Sequence, residues 1–474
     1  MAAAGDEGGR SEFAAEFAEF AAGLEPAALP EDVLAAVETN LFDTLSCAVA
    51  GISATGIADL IAIAADWGGR PEAQVWCSDQ RLPAPWAAWV NGAMSHARDF
   101  DDTHDAAVLH AGVSVVPAAL AAAEVAPGAR GEDVLAGVAA GLELISRLGV
   151  ATKAGIIETG FMYTSLFGHF AATAAAARIW RLSAAEMQNA LGIAYSQAAG
   201  THQVTRDAAL TKRMQPGFAA KTAQISVAMA RRRIRGAQAV FEGTDGLFRS
   251  YFHDRYDPAR LREALGRRFD LADLSYKPWP CCRFNHTAIE AALAIRARLP
   301  QGAQVQAVRA AVNRQAYEAV ATPPEMRRRP RSIVQAQFSI PYTVAVALER
   351  GAVGITDFTD AALADAGVLA LASKVEVAVD PVIERDWGRN ISPTALVVET
   401  DRGSFAHRVD YPCGNGAHPM TAADFEAKLR GCMAASGLVW PVDLPQRLRD
   451  AVGGLRRGGT GHDLVACLRP GGAG

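Results

Sequence analysis

Apolar residues return every third or fourth position over most of the stretch from residue 12 to residue 275, and this period constrains the fold more than any other feature. Val33, Val37, Leu41, Leu45 and Ala48 share one face behind Pro30, a residue that suits a helix's first turn. Val134, Val138, Leu142 and Ile145 repeat the theme. Ser183 with Glu186 makes a capping box ahead of MQNALGIAYSQAAG. The alanine-rich runs 117–126 and 171–177 carry side chains small enough for helices to approach closely. These patterns predict a packed, all-helical domain.

After residue 276 the texture changes. AQVQAVRAAV (303–312), KVEVAVD (374–380) and ALVVET (395–400) read as strands, and ALVVET-DRG-SFAHRVDYP reads as a hairpin with Gly403 in its turn. Residues 285–298 and 341–350 read as helices between them. Thr421 with Asp424 is a variant capping box, so the chain is expected to return to helix after about 413. The expected fold is therefore mainly α. A large all-helical domain (12–276 plus 413–452) carries an inserted, smaller α+β lid domain (277–412), and residues 1–11 and 453–474 form flexible tails. The junction of two such parts favours a small-molecule cleft.

Composition excludes several classes of function. The chain has 474 residues, half of them apolar, and a formal net charge of −5, so it lacks the basic stripe of a nucleic-acid binder. Its start, MAAAGDEGGRSEF, lacks the basic and apolar regions of a signal peptide. No apolar run is expected to reach the length of a membrane span, the best candidates being broken by Glu124 or Arg178. A cytoplasmic location follows as an expectation. The seven scattered cysteines include no CxxC pair, which argues against a zinc ribbon or a disulfide framework. Neither a Walker nor a Rossmann fingerprint is present, so side chains alone are expected to do the chemistry, with no cofactor and no metal.

HARDFDDTHDAAVLH (96–110) packs three histidines and four aspartates into fifteen positions. A divalent metal would need three or four converging ligands, and the chain has only ten histidines. A solvated acidic loop is the second reading. The third, which we favour, is an active-site loop that holds substrate and passes protons. YKPWPCCRFNH (276–286) sets Lys277 beside a Pro-Trp-Pro turn, where burial would lower its pKa and make it a base, whereas an anionic substrate would keep it charged. Cys281 and Cys282 read as core filler, having no evident activating neighbour. TKRMQPGFAAK (211–221) offers Lys212, Arg213 and Lys221 to neutralise carboxylates, and MRRRPRS (326–332) reads as an exposed basic loop. An acidic, histidine-bearing loop with separated lysines suits proton abstraction next to a carboxylate, where a base, cations for the developing enolate and an acid are all required.

HARDFDDTHDAAVLHAG, KRMQPGFAAK and KPWPCCRFNH, with DTLSCAVAG (43–51), GHFAATAAAARIW (168–180) and AQFSIPY (336–342), resemble the MmgE/PrpD family in order along the chain. That family includes 2-methylcitrate dehydratase, cis-aconitate decarboxylase and iminodisuccinate epimerase. The resemblance implies a helical domain with an α+β lid, a homodimer, and metal-free lyase or isomerase chemistry on a small di- or tricarboxylate. It implies catalytic roles for Lys277, His110, Asp99 and Lys212, with Thr103, Arg283 and a lid tyrosine near Tyr317 binding substrate. Family members commonly carry histidine where this chain has Met162 and Gln215, and methionine cannot transfer a proton. Tyr163, beside the first loss, could act as the acid instead, and a Lys/Tyr pair would suit a two-base epimerase. The leading expectation is a cofactor-independent lyase, followed by an epimerase, a non-catalytic carboxylate-binding homologue, and a metal hydrolase.

Overall fold

The computed structural model describes residues 12–388 and 390–471. The expectation for residues 1–11 lies outside them.

The chain begins with α1 (Phe13–Ala22), α2 (Glu31–Gly51), α3 (Ile57–Asp66) and α4 (Ala84–His96). Pro30 stands just before the first residue of α2, where its missing N–H costs nothing. Then come α5 (Gly112–Val125), α6 (Gly131–Ala151), α7 (Gly168–Ile179), α8 (Ala184–Tyr195) and α9 (Thr211–Ala230). The predicted capping box opens α8, with the Ser183 hydroxyl accepting from the Glu186 N–H. Every residue of α7 is buried, and its alanines are what let α6 and α9 close on either side. Two 21-residue helices, Glu31–Gly51 and Gly131–Ala151, are apolar enough to span a membrane by length and composition, which corrects the expectation that no run reaches that length. Both are core helices here, the apolar window of the second being 94% buried.

Beyond Ala230 the expected helical run thins to short pieces such as Leu247–Phe252 and Pro258–Arg262. Three consecutive arginines, Gly236, Gly243 and Gly246 leave no apolar stripe there for a long helix to bury.

The later residues form α10 (His286–Arg296), β1 (Val305–Val312), α11 (Arg314–Val320), α12 (Ile340–Arg350), β2 (Val375–Val379), β3 (Thr394–Thr400) and β4 (Gly403–Val409). The sheet order is β2-β1-β3-β4, with β1 and β2 parallel and the other pairs antiparallel. The hairpin is present, with Thr400 paired to Gly403, whose φ of +127° is open to glycine and closed to most other residues. The chain ends in α13 (Ala422–Ala435), α14 (Leu444–Gly454) and α15 (Gly461–Ala466).

Two apolar cores result. One gathers side chains from Phe13 to Tyr276 together with Leu429 to Leu468, and the other gathers Cys281 to Val409. The tail expected to be flexible from 453 is packed into the first core: Leu455, Leu464, Val465 and Leu468 are buried, despite the glycines and arginines around them. Four apolar residues at helical spacing outweigh that composition.

Candidate active site

The site is built where α4 ends and α9 begins. These two helices cross at Gly92 and Gly217, and a β-carbon on Gly92 would lie 2.8 Å from the Gly217 α-carbon. That crossing brings Lys212, in the first turn of α9, beside His96, the last residue of α4. The loop 97–111 then leads to α5. Its far end is fixed by Asp102, whose carboxylate accepts from the N–H groups of Ala111 and Gly112 at 2.9 Å each, at the entry to the helix. Asp99 and Val108 both take left-handed φ values (55° and 54°), a conformation that costs a branched residue such as valine about 1–3 kcal/mol. Thr103 and His104 pair antiparallel with Ser275 and Leu274, which carries Lys277 in under the same loop.

Asp99 is the centre of the arrangement. Lys277 Nζ donates to its Oδ1 and to its carbonyl oxygen, both at 2.8 Å, and Lys212 Nζ donates to its Oδ2. Burial opposes ionisation of this carboxyl, but the two ammonium groups prevail and hold it well below the usual range. Burial likewise opposes charge on Lys277, and Asp99 with Asp101 overcomes it and raises the lysine above its ordinary value. Lys277 is therefore an ammonium at neutral pH, and the reading of it as a base with a lowered pKa is corrected.

Asp101 stands between two imidazoles, its Oδ2 lying 2.9 Å from His96 Nδ1 and 3.1 Å from His110 Nδ1. Burial, with the cation of Lys212 nearby, lowers His96 to about 4 against the pull of Asp101. A neutral His96 with its proton on Nδ1 presents a bare Nε2, and Lys212 Nζ lies 3.2 Å from it. His110 Nδ1 also lies 2.7 Å from the carbonyl of Asp102. Two acceptors around Nδ1 keep a proton there, so Nε2 is the position at which His110 gains or loses one.

Asp99, Thr103, His110 and Lys212 border one cavity of about 80 Å³ between the two apolar cores. Thr103 donates to Asp105 Oδ1 at 2.9 Å. Arg283 also borders the cavity, but its charge is engaged: Nε and Nη2 bind both oxygens of Asp105 at 3.0 Å, and Nη1 donates to the Cys413 carbonyl. It holds the loop through these bonds and offers the cavity no unpaired cation. Arg283, Asn415 and Ser275 together bring Asp105 down to about 2 in spite of burial.

Three expected residues do not border the cavity: Lys277, enclosed behind Asp99, and the two tyrosines. The Tyr163 hydroxyl donates to the Ala154 carbonyl at 2.8 Å, and its ring packs against Phe167 and Phe252. Tyr317 packs against the second core, while its helix α11 gives Gln315 and Ala319 to the cavity instead. Lys221 sits over the rings of Trp86, Trp89 and Phe218, apart from the site. In the basic run, Arg327 is buried rather than exposed and donates to the carbonyls of Thr322 and Ala319. Burial pushes the Cys282 thiol up to about 11, so it is no thiolate at neutral pH.

Sequence reasoning left several residues without a role. His96 and Asp101 lie in the quoted stretch, and only the loop's path distinguishes them from their acidic neighbours. With His110 they place ligand atoms within 4.8 Å of one another, so among the described residues this trio is a candidate for holding a metal. The Lys212 ammonium on His96 stands against a divalent cation there. Gln337, in the AQFSIPY segment, donates to the carbonyls of Arg98 at 2.8 Å and Pro280 at 3.0 Å and ties the two units together at the loop. Behind the loop, Lys428 of α13 donates to Asp43 Oδ1 and to the Phe100 carbonyl, both at 2.6 Å, with its ammonium over the Phe100 ring.

Residues 15–259 match the model of the MmgE/PrpD N-terminal domain, and residues 279–438 match that of the MmgE/PrpD C-terminal domain. The chain is 26% identical over 473 residues to a protein named cis-aconitate decarboxylase-like protein oryM, from Aspergillus oryzae, covering 96% of each chain. It is 26% identical over 429 residues to cis-aconitate decarboxylase of Aspergillus terreus, covering 86% of this chain and 87% of that one. The human cis-aconitate decarboxylase is 26% identical over 432 residues, covering 88% and 87%.

Proposed function

The chain belongs to the MmgE/PrpD family, and from that premise we propose that it is a cofactor-independent lyase, of the decarboxylase or dehydratase type, acting on a small di- or tricarboxylate. The observation that carries this reading is that Asp99, Lys212 and His110 border one cavity, with Lys277 bonded to Asp99 from behind its wall. Lys212, whose Nζ lies against Asp99 at the cavity wall, supplies the cation for a substrate carboxylate, with Lys277 holding Asp99 from behind. His110, with Nδ1 held by Asp101 and Asp102, moves a proton at Nε2.

In a decarboxylation, the bond to the departing carboxylate breaks and CO₂ leaves. The electron pair is delocalised toward a remaining carboxylate that Lys212 holds, and the His110 imidazolium then protonates carbon. In a dehydration, neutral His110 takes the proton α to a carboxylate, the electron pair forms the double bond, and the leaving hydroxide takes a proton from an ammonium. The two-base epimerase has no support at Tyr163, whose hydroxyl is bonded to Ala154. Residues 277–412 would serve as the lid, contributing Phe338 and Ile391 to the cavity. A homodimer is part of the proposal: Ile63 is 44% and Trp67 56% exposed, at one end of α3, an apolar face that a second copy would cover. Light scattering should then read twice 49.9 kDa.

The test is NMR in D₂O with cis-aconitate, citrate and 2-methylcitrate, wild type beside Lys277→Ala. Loss of CO₂ or water from one member, abolished in the variant, supports the lyase. Deuterium entry with inversion and no elimination would replace it with an isomerase.

A further inference from the structure

A buried guanidinium has lost its water and is ordinarily held by a carboxylate. Among the described residues Arg147, Arg178 and Arg283 are buried with Glu143, Asp133 and Asp105 as partners. Arg213 and Arg327 are buried with no carboxylate partner among those residues, and of these two Arg327 borders a chamber of about 470 Å³ outside the cavity. Arg327 is 8% exposed. Its Nε and Nη2 donate to the carbonyls of Thr322 and Ala319 at 2.9 Å each, which leaves Nη1 without an acceptor among the described residues. Burial lowers this guanidinium to about 10, with no carboxylate opposing the shift. Arg206 borders the same chamber, exposed and likewise without an ion pair among the described residues. Gln335 turns its amide there too, its Oε1 taken by the Arg331 N–H and its NH₂ group free of any described acceptor. Glu318, the carboxylate on this wall, is exposed, so water screens its charge.

The chamber adjoins the inner cavity, and Ile157, His202, Thr205, Ala319 and Phe338 border both. His202 is the polar link between them. Burial lowers its imidazole to about 4, with Arg206 of the outer chamber and Lys212 of the inner one adding to the effect, and its buried Nδ1 has no hydrogen-bond partner. Another chamber, of about 310 Å³, meets the inner cavity at Val108, Ile156 and Gln315, and among the described residues no charged side chain borders it. An anion arriving from water is drawn to the arginine side.

We propose that the outer chamber is a second oxyanion site, in which Arg327 and Arg206 take a carboxylate or a phosphate, and from which a carboxylate passes His202 and Thr205 to reach Lys212. The site itself stands apart from the lyase reading, and only the passage to Lys212 rests on it. A bound oxyanion gives Arg327 Nη1 its acceptor and the buried guanidinium its counter-charge.

The test reads binding apart from turnover, by titration calorimetry of the full-length protein with tricarballylate, an unreactive tricarboxylate, and with inorganic phosphate. Wild type should take two equivalents of tricarballylate per chain, and Lys212→Met should keep only the outer one. Arg206→Glu, at an exposed position where the fold is not at stake, should weaken the outer equivalent by about tenfold, and Arg327→Met by a similar factor. Phosphate displacing the equivalent that Lys212→Met retains supports a site for any oxyanion, and retention against phosphate supports a site that takes the carboxylate alone. A single equivalent in wild type, no binding at all, or an outer equivalent unmoved by both arginine variants overturns the proposal. If Lys212→Met does not fold, Arg206→Glu decides alone, and unchanged stoichiometry and affinity in it overturn the site. Turnover of cis-aconitate with a single equivalent leaves the lyase standing and removes this site. Two equivalents, one of them weakened by Arg206→Glu, with no turnover of any carboxylate, do the reverse.

Discussion

Two buried lysine–aspartate contacts flank the same loop, one on each side, and they differ in what they face. In front, Asp99 is shared by Lys212 and Lys277 at the cavity. Behind, Asp43 has Lys428 alone and lies near Asp101 and Asp102. Both carboxyls are fully enclosed, and burial pushes both upward. The front one is nevertheless held well below its ordinary range, whereas the rear one, with one cation and two neighbouring carboxylates, rises to about 6. The number and sign of neighbours decide the outcome where depth does not. The front contact is thus a charged device with a cation to offer, and the rear one is a mechanical brace.

Substitutions can break this comparison at either end. Lys277→Ala should reduce turnover by about a thousandfold, the scale of losing an acid–base or charge-stabilising group. A loss under tenfold in the D₂O assay would move the chemistry away from Asp99. Lys428→Met should act on the fold instead. It strands Asp43 and frees the Phe100 carbonyl, lowering stability by about 3–5 kcal/mol in urea unfolding. Its folded fraction should keep far more activity than Lys277→Ala, and equal losses would erase the distinction.

The third prediction concerns pH. A folded-state value near 6 for Asp43, against 3.8 in the unfolded chain, means the folded state retains a proton that the unfolded state releases between those pH values. Stability from this group is therefore present below 3.8 and lost as pH rises through about 6, by about 3 kcal/mol. Asp43→Asn should remove that fall from the stability–pH curve. Asp99 has the opposite sign: its contribution is present above 3.8 and lost as pH falls below it. An unchanged slope between pH 4 and 6 in Asp43→Asn would refute the assignment.

The smallest effect is expected at Tyr163→Phe, where the hydroxyl's bond to Ala154 is worth about 1 kcal/mol and turnover should stay within a few-fold of wild type. A hundredfold loss would restore tyrosine to the chemistry and reopen the isomerase.

Lys212, Lys277 and the loop 96–110 were legible from residue type and setting, whereas Asp99, Thr103 and His110 were picked out of that loop only by the family resemblance. The two tyrosines show where that reading stops. Successive residues on a helix point about 100° apart, so with Met162 at the cavity wall, Tyr163 at the start of the next helical turn faces the core. Gln315 and Ala319 face the cavity from α11, and Tyr317, about 200° round from Gln315, faces away. Neighbourhood in sequence gave the right element and the wrong face. The strands and the hairpin were likewise legible from alternation. The packed tail was hidden because glycine and arginine dominate its composition, and four apolar anchors are too few to stand out against them.

Lys428 has a further consequence for how the molecule comes into being. The residues that border the cavity all precede position 392, yet the brace behind their loop arrives from residue 428. A ribosome will have delivered Asp99, His110, Lys212 and Lys277 well before α13 emerges, and until then the Phe100 carbonyl has no ammonium behind it. The support behind the loop is thus completed late in synthesis. A chain cut short after the last cavity residue would hold every residue that borders the cavity and leave Asp43 without its ammonium.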